Sequence, residues 1–223
     1  MASKLNRRQS VAQHFYTLGL VVCLSGIAST AFAHPHVFAE TRTEVVGKDN
    51  KLEALRHVWR FDEFFSATVQ LEFDRNGDNK LSDAELAAIA KTIKKSTAEF
   101  NYFQNVYDNG RQVEMIVPGE MTVGFEGPSM ILIFESRPSR QVELKGDLTF
   151  GIFDETFYTS LDFINDTDLS GQGFPASCTF KVVRPDPDDA IAQNEGTLTE
   201  QFFAEQAVND MSKMFATRLE AKC

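Results

Sequence analysis

Residues 74–85, DRNGDNKLSDAE, carry oxygen-bearing side chains at the spacing of an EF-hand calcium loop. Counted from the first residue, positions 1, 3, 5, 7, 9 and 12 are Asp74, Asn76, Asp78, Lys80, Ser82 and Glu85. Calcium takes about six to eight oxygen ligands, and position 7 supplies a backbone carbonyl, so a lysine there is compatible with the pattern. The spacing predicts a Ca²⁺ site with a dissociation constant of roughly 10⁻⁴–10⁻³ M. Because the loop is single and unpaired, we expect the ion to brace the fold.

Two features of this loop leave an alternative open. Asn79 occupies position 6, where glycine is usual because the backbone turns through positive φ, and asparagine is the next most tolerant residue. Ser82 and Glu85 also have the spacing of a helix capping box, which accounts for both residues without a metal. Capping does not account for the oxygen side chains at 74, 76 and 78, so the pattern favours calcium.

A second candidate site lies at His34 and His36, which flank Pro35. If a signal peptide ends at residue 33, His34 begins the mature chain and offers both its α-amino nitrogen and its ring. The ring of His36 adds a second imidazole, and the predicted hairpin would place His57, a third, within a few residues of the strand end that carries His36. These nitrogens suit a divalent transition metal such as Zn²⁺, Ni²⁺ or Cu²⁺. Pro35 has no N–H, which excludes a deprotonated amide ligand there. The alternatives are a frayed, solvated N-terminus and, for His57, a packed strand histidine.

Residues 1–33 are predicted to be a cleaved secretory signal peptide. They begin with Lys4, Arg7 and Arg8, continue with an apolar run shorter than the ~20 residues that a bilayer span needs, and end in a small-x-small triplet. An uncleaved membrane anchor is the alternative, which the short run disfavours. We therefore expect a periplasmic mature protein with no membrane-spanning segment.

The charge balance and the cysteines restrict the function further. The net charge is −10, and it becomes more negative when the basic signal is removed. Such acidity argues against nucleic acid or anionic lipid as a partner and suits cations. Only Cys178 and Cys223 remain after cleavage, and in an oxidising compartment an even pair predicts one disulfide. Two unpaired thiols are the alternative, because Cys223 is terminal.

The elements that position these residues are predicted from periodicity. Residues 37–46 and 52–61 have strand patterns around a turn and predict a β-hairpin. Residues 62–73 and about 83–100 have helical spacing, which places the calcium loop between two helices. From residue 110 onward, short period-two runs broken by proline and glycine predict a mostly antiparallel sheet or sandwich.

Together these elements predict an α+β fold. Residues 34–184 form its domain, with an inserted EF-hand-like helix-loop-helix at 62–100, followed by an acidic linker at 185–196 and a C-terminal helix at 197–223. The apolar stripe of that helix consists of Phe203, Ala207, Met211, Met214, Phe215 and Leu219. We expect the stripe to dock on the sheet, with binding to a partner as the alternative.

Several segments together resemble one known family. They are HPHVF after the signal, WRFDEFFSA at 59–67, the loop region 73–86, NYF at 101–103 and FGIFDETFYTSLDF at 150–163. With these segments the chain is similar to domain of unknown function 1007, described as the periplasmic component of an uncharacterised ABC-type transport system. The resemblance implies a periplasmic protein linked to nickel/cobalt-type permeases, with an inner-membrane metal permease as partner, and it implies no reaction.

The favoured hypothesis is a periplasmic metal-binding accessory protein of a nickel-, cobalt- or zinc-type transport system, with a structural calcium loop. A structural or interaction module that binds calcium only is the first alternative. A copper-dependent oxidoreductase that uses the N-terminal histidine is the second. The sequence contains no nucleophile elbow, phosphate loop or CxxC motif. The carboxylates of Asp154, Glu155 and Asp162 are interpreted as solvated turn and strand-end acids, so no enzyme is predicted.

Overall fold

The computed structural model describes residues 36–117, 119–194 and 208–223. Within these ranges the chain forms twelve strands: β1 Val37–Lys48, β2 Lys51–Phe61, β3 Gln104–Asp108, β4 Arg111–Val113, β5 Met115–Ile116, β6 Thr122–Glu126, β7 Ser129–Pro138, β8 Asp147–Ile152, β9 Thr159–Asp162, β10 Leu169–Gln172, β11 Thr179–Val183 and β12 Arg218–Lys222. The α-helices of the same ranges are α1 Glu63–Phe73, α2 Asp83–Ala98, α3 Pro187–Asn194 and α4 Val208–Phe215. Short 3₁₀ turns occur at Asn101–Phe103 and Asp166–Asp168.

The strands form two sheets that share one core. In the seven-stranded sheet β10, β1, β2, β7 and β5 lie side by side, while β6 also pairs with β7 and β9 with β1. The five-stranded sheet has the order β11-β12-β8-β3-β4. Alternate residues of both sheets point inward, so Leu55 and Trp59 of the larger sheet share a hydrophobic core with Val106, Phe150 and Leu219 of the smaller one.

The predicted α+β class is wrong. The described chain is mostly β, and helices are few. The larger sheet is also mixed, because β1 runs antiparallel to β2 but parallel to β9 and β10. These parallel pairings join segments more than a hundred residues apart. Local periodicity carries no information about such pairings. The predicted fold class therefore depended too strongly on the two helices, which periodicity does indicate.

The hairpin and both helices around the loop form as predicted. Asp49 and Asn50 make the hairpin turn with φ of 50° and 58°, a region that short polar side chains tolerate. Asp62 caps α1 by accepting the N–H of Phe65 at 2.9 Å. The buried Ser66 hydroxyl then fixes α1 to the larger sheet, because it accepts the Met130 N–H of β7 at 2.8 Å.

The predicted C-terminal helix is also wrong beyond Phe215. Residues Arg218–Lys222 form β12, which pairs with β8 on one side and β11 on the other. Leu219 fits the helical stripe by spacing, yet it also alternates with polar neighbours, and as a strand residue it is 2% exposed in the core. The predicted linker contains α3. Phe203 and Ala207 lie outside the described residues, as does the side chain of Met211.

Cys178 and Cys223 form the predicted disulfide. Cys178 immediately precedes β11 and Cys223 immediately follows β12, and these two strands pair from Thr179 opposite Lys222. The bond therefore fixes the end of the chain to the edge strand of the smaller sheet. A pair of this kind is typical of proteins that fold in an oxidising compartment.

Candidate metal centre

The calcium-type loop lies between two capped helix ends. α1 ends at Phe73, and its C-cap residue Asp74 donates its backbone N–H to the Gln70 carbonyl at 2.9 Å. α2 begins at Asp83, with Ser82 as its N-cap. The loop therefore begins and ends at fixed points, which limits the volume that its side chains can reach.

The acidic and amide side chains of the loop fold back on its own backbone. Asp74 Oδ1 accepts the N–H of Gly77 at 2.9 Å and that of Asp78 at 3.3 Å, and Asp74 Oδ2 accepts the N–H of Asn79 at 2.8 Å. Asn76 Oδ1 accepts the N–H of Asp78 at 3.0 Å, and Asp78 Oδ1 accepts that of Lys80 at 2.9 Å. The chain is thus curled around the side chains at positions 1, 3 and 5. Carboxylate oxygens have further lone pairs, so these bonds orient the side chains without exhausting them.

The backbone at position 6 turns as a calcium loop of this type requires. Asn79 has φ of 60°, and Gly77 at position 4 has φ of 71°. Asparagine is among the few residues that visit this left-handed region routinely. The departure from glycine at position 6 is therefore accommodated by the fold.

Glu85 serves both the helix and the loop. Its Oε2 accepts the backbone N–H of Ser82 at 2.8 Å and the Ser82 hydroxyl at 2.7 Å, while Ser82 Oγ accepts the Glu85 N–H, which completes the capping box. Its Oε1 reaches back to accept the Arg75 N–H at 2.9 Å. The backbone N–H of Ser82, then its hydroxyl, then the Arg75 N–H hold the pKa of Glu85 below its usual value. The ionised carboxylate of position 12 therefore lies beside the residue that follows position 1.

The residue types and their order fit a calcium ion, while the carboxylates are bonded to backbone N–H groups of the loop. In the part of the chain that the structure describes, no three His, Cys, Asp or Glu side chains are grouped as metal ligands. A bound cation would compete with the capping bonds for Glu85. The loop is therefore a hydrogen-bonded turn in which the twelfth residue, Glu85, completes the cap of α2.

The predicted transition-metal site is only partly covered by the structure. His34 lies outside the described residues. His36 is exposed. Its backbone N–H donates to the Tyr158 carbonyl at 2.8 Å, and its ring centroid lies 5.0 Å from that of Tyr158. The start of β1 is thus attached to the segment that leads into β9.

The prediction that His57 lies near these histidines is wrong. His57 is opposite Thr43 in the hairpin, and Thr43 is seven residues along β1 from His36. At about 3.3 Å per strand residue this is a separation of about 23 Å. His57 is also 0% exposed. It cannot bind the same ion as the N-terminal residues. The alternative prediction for His57, a packed strand histidine, is confirmed, because the ring is buried beside Trp59.

His57 belongs to a buried polar network between the sheets, whose other members the sequence does not indicate. Its Nδ1 lies 3.2 Å from Thr43 Oγ1, its Nε2 lies 3.1 Å from Ser136 Oγ, and Ser136 Oγ donates to Gln104 Oε1. Because the Ser136 proton is directed at Gln104, Nε2 must carry the imidazole proton and Nδ1 must accept from Thr43. Burial lowers the pKa of His57 to about 3. The ring is therefore a neutral core group stacked on Phe134.

The interpretation of Asp154 as a solvated acid is wrong, because this residue of the FDETFY segment is buried and has a structural role. This carboxylate is 5% exposed and accepts three hydrogen bonds, from the Thr156 N–H at 2.8 Å, the Thr156 hydroxyl at 2.7 Å and the Thr159 N–H at 3.0 Å. These bonds hold the tight turn that places Tyr158 beside His36. Neither Glu155 nor Asp162 is brought to Asp154 by a described contact.

Comparisons with known proteins identify the family of this chain and no specific function. Across the described ranges, no helix is both long and apolar enough to cross a membrane. No curated protein matches the chain. A solved structure of Capitella teleta AChBP in complex with lobeline is similar over 98% of this chain and 96% of that chain, at 8% identity and a TM-score of 0.25, which is too weak to support an argument. Residues 19–223 match the family model described as "Protein of unknown function (DUF1007)", and the chain therefore belongs to the DUF1007 family.

Proposed function

We propose that this chain is an exported metal-binding accessory protein of a transition-metal transport system, braced by Ca²⁺ in the loop 74–85. The observation that carries the calcium part is the loop itself. Oxygen side chains at positions 1, 3 and 5 hold a curled backbone with positive φ at position 6, and the position 12 carboxylate reaches back to the start. The disulfide and the signal-like N-terminus support an oxidising, periplasmic location.

Calcium would act as a brace between α1 and α2. Both helices place residues in the core, Val69 from α1 and Ile89 from α2, so an ion that fixes the loop also fixes the docking of both helices. The carboxylates of Asp74, Asp78 and Glu85 repel one another in the ion's absence, and a divalent cation removes that repulsion. The ion is therefore expected to increase the free energy of unfolding.

The calcium proposal is tested by unfolding the protein with and without Ca²⁺. At Ca²⁺ concentrations of about ten to a hundred times Kd, a site present only in the folded state adds about 1.4–2.7 kcal/mol to the free energy of unfolding. The informative variant is Glu85→Gln, because glutamine still completes a capping box but cannot offer a charged bidentate ligand. Without calcium the variant should be about 1–3 kcal/mol less stable than the wild type, because the glutamine amide has one acceptor oxygen and cannot accept both the Ser82 and the Arg75 N–H groups. The readout is therefore the increase in stability that calcium gives to each protein.

The matched control is Asp83→Asn, which removes one carboxylate from the same helix turn at a position that is not a ligand of the pattern. It should keep the calcium effect, and Glu85→Gln should lose it. Equal calcium stabilisation of the wild type and Glu85→Gln would show that the ion binds elsewhere. No calcium effect on the wild type would leave Glu85 as a helix cap only.

The transition-metal part of the proposal concerns His34 and His36. A free amine and two imidazoles suit Zn²⁺, Ni²⁺ or Cu²⁺, and His36 is exposed next to the predicted start of the mature chain. The family resemblance supports an inner-membrane metal permease as the partner. Metal titration of the cleaved protein tests this part, because a variant with His34→Ala and His36→Ala should lose most of its affinity. Unchanged affinity would refute a metal site at His34 and His36.

A structural or interaction module that binds calcium only is the second candidate. The observation in its favour is the burial of His57, which leaves at most two imidazoles for the N-terminal site. The same observation weakens the copper oxidoreductase, which has no third ring available. Peroxide production by the copper-loaded, cleaved protein with a reductant tests that alternative, and its absence would retire it.

A further inference from the structure

A cleft of about 620 Å³ lies on the outer face of the smaller sheet, and residues of α3 and α4 also line it. This volume is in the range of small-molecule binding sites. Its floor includes one row of paired strand residues, in which Asn105 is opposite Gly151, Gly151 opposite Arg218, and Arg218 opposite Val183. A smaller cavity of about 170 Å³ shares Asn105 and Phe153 with the cleft. The two cavities therefore adjoin one another along the sheet.

Phe153 provides an aromatic surface in the middle of this row. A Cβ atom at Gly151 would lie 2.8 Å from Phe153 Cε1, so glycine is what allows the ring to lie over the strand. Asn105 and Arg218 stand on either side, two strand spacings apart, which is about 10 Å. The floor thus has a polar group at each end and an apolar ring between them.

The two end groups keep unused hydrogen-bonding capacity. Asn105 is 4% exposed, and its Nδ2 donates to the Phe153 carbonyl at 3.0 Å, but its Oδ1 accepts no hydrogen bond from any described residue. Arg218 donates from Nε to Glu220 at 3.0 Å, and its terminal N–H groups donate to no described residue. One end therefore offers an acceptor and the other offers paired donors.

The charges differ between the two ends. Near Asn105, the smaller cavity is lined by the carboxylates of Glu99 and Glu155, with no cation among its described lining residues. The opposite end combines Arg218 and Lys213 with two carboxylates. Those carboxylates are Asp189 and Asp186, of which Asp186 accepts the Asp188 N–H at the start of α3. Lys213 Nζ lies 5.5 Å from the centre of the Tyr107 ring.

A strained turn adjoins the acidic end. Asn101, Tyr102 and Phe103 have consecutive φ values of 51°, 54° and 57°, a left-handed conformation that asparagine tolerates but that is unfavourable for the two aromatic residues. The Asn101 side chain holds the turn, because its Oδ1 accepts the Met115 N–H at 2.7 Å and its Nδ2 donates to the Gln104 carbonyl. Such strain persists where surrounding structure enforces it, and it is concentrated at ligand sites.

We propose that this cleft binds a short peptide of about three residues by its two charged termini. The peptide ammonium donates to Asn105 Oδ1 beside Glu155, the peptide carboxylate pairs with the Arg218 guanidinium, and the central residue lies on Phe153. Extended chain advances about 3.3–3.6 Å per residue, so about three residues cover the roughly 10 Å between the backbones of Asn105 and Arg218. Capture of terminal charges is an established way in which proteins recognise peptides.

The test uses the tripeptide Ala-Phe-Ala as probe, with binding to the cleaved protein followed by NMR chemical shifts and calorimetry. N-acetylation or C-amidation of the probe removes one terminal charge. Each should weaken binding about tenfold or more, because hydrogen bonds to charged groups are the strong ones. In Arg218→Met the C-amidated and free peptides should bind equally, while N-acetylation keeps its effect. In Asn105→Leu the pattern should be reversed.

Lys181→Met is the matched control, because Lys181 lies on the same sheet face at β11 and does not line the cleft. It should bind the probe like the wild type. If Asn105→Leu does not fold, Arg218→Met alone decides, since Arg218 is part-exposed. No shift of cleft resonances at millimolar peptide, or equal binding of the doubly blocked peptide, would overturn the proposal. Tighter binding of free phenylalanine than of the tripeptide would also overturn it.

Discussion

Acidification should destabilise this protein through His57. The ring is buried and its pKa is lowered from 6.5 to about 3 in the folded state, whereas the unfolded chain titrates near the ordinary value. Between pH 6.5 and pH 3 the unfolded state therefore binds more protons, so stability falls as the pH falls through that window. The stabilisation is fully present above pH 6.5.

The magnitude follows from the two pKa values. Between pH 7 and pH 4.5, the difference in proton binding at His57 lowers the free energy of unfolding by about 2.5 kcal/mol. This is a large share of the roughly 5–15 kcal/mol that stabilises an ordinary domain. The loss has a structural cause, because a protonated ring would carry a charge in a site that is shielded from solvent and has no carboxylate of the described residues bonded to it.

Urea unfolding across this pH range measures the effect. The single tryptophan, Trp59, is 2% exposed in the core and reports unfolding by fluorescence. The comparison is with His57→Gln, which cannot titrate, so that the contribution of carboxylates cancels in the difference between the two proteins. We expect the wild type to lose about 2.5 kcal/mol more than the variant on going from pH 7 to pH 4.5. Parallel pH profiles would refute the assignment of a buried, neutral His57.

Two further predictions concern the core and the disulfide. Thr41 and Thr43 are both 2% exposed on the same face of β1, but Thr43 Oγ1 bonds His57 while Thr41 Oγ1 has no partner within the described chain. Thr43→Val should therefore cost about 1–3 kcal/mol and Thr41→Val about zero by urea unfolding, and equal costs would contradict the network. Replacing Cys223 by serine releases a loop of sequence separation 45 and should cost about 4 kcal/mol. Reduction of the wild type should lower the unfolding midpoint similarly, and an unchanged midpoint would contradict a bond to Cys178.

Local features of the fold were predictable from the sequence because neighbouring residues determine them. The hairpin turn at Asp49 and Asn50 and the caps at Asp62 and Ser82 each depend on a few adjacent side chains. The parallel pairing of β1 with β9 and β10 depends on contacts between distant segments, which periodicity does not encode. The apolar pattern of β12 fits both a helix and a strand, and pairing with β8 and β11 selects the strand.

The candidate sites also differ in whether one segment forms them or several distant segments do. The loop 74–85 is contiguous, so its ligand order could be read directly from the sequence. The position of His57 could have been corrected from the sequence too, because counting back from the hairpin turn places it opposite Thr43, far from His36. Its bonds to Ser136 and Gln104, and the cleft on the smaller sheet, assemble residues from segments that only tertiary structure brings together.

Calorimetric titration of the cleaved protein with Ca²⁺ decides whether the loop 74–85 is a calcium site. We expect one site with a Kd of roughly 10⁻⁴–10⁻³ M, abolished by Asp74→Asn combined with Glu85→Gln and retained in Asp83→Asn. Wild-type heats indistinguishable from those of the double variant, or no binding at all, would contradict it.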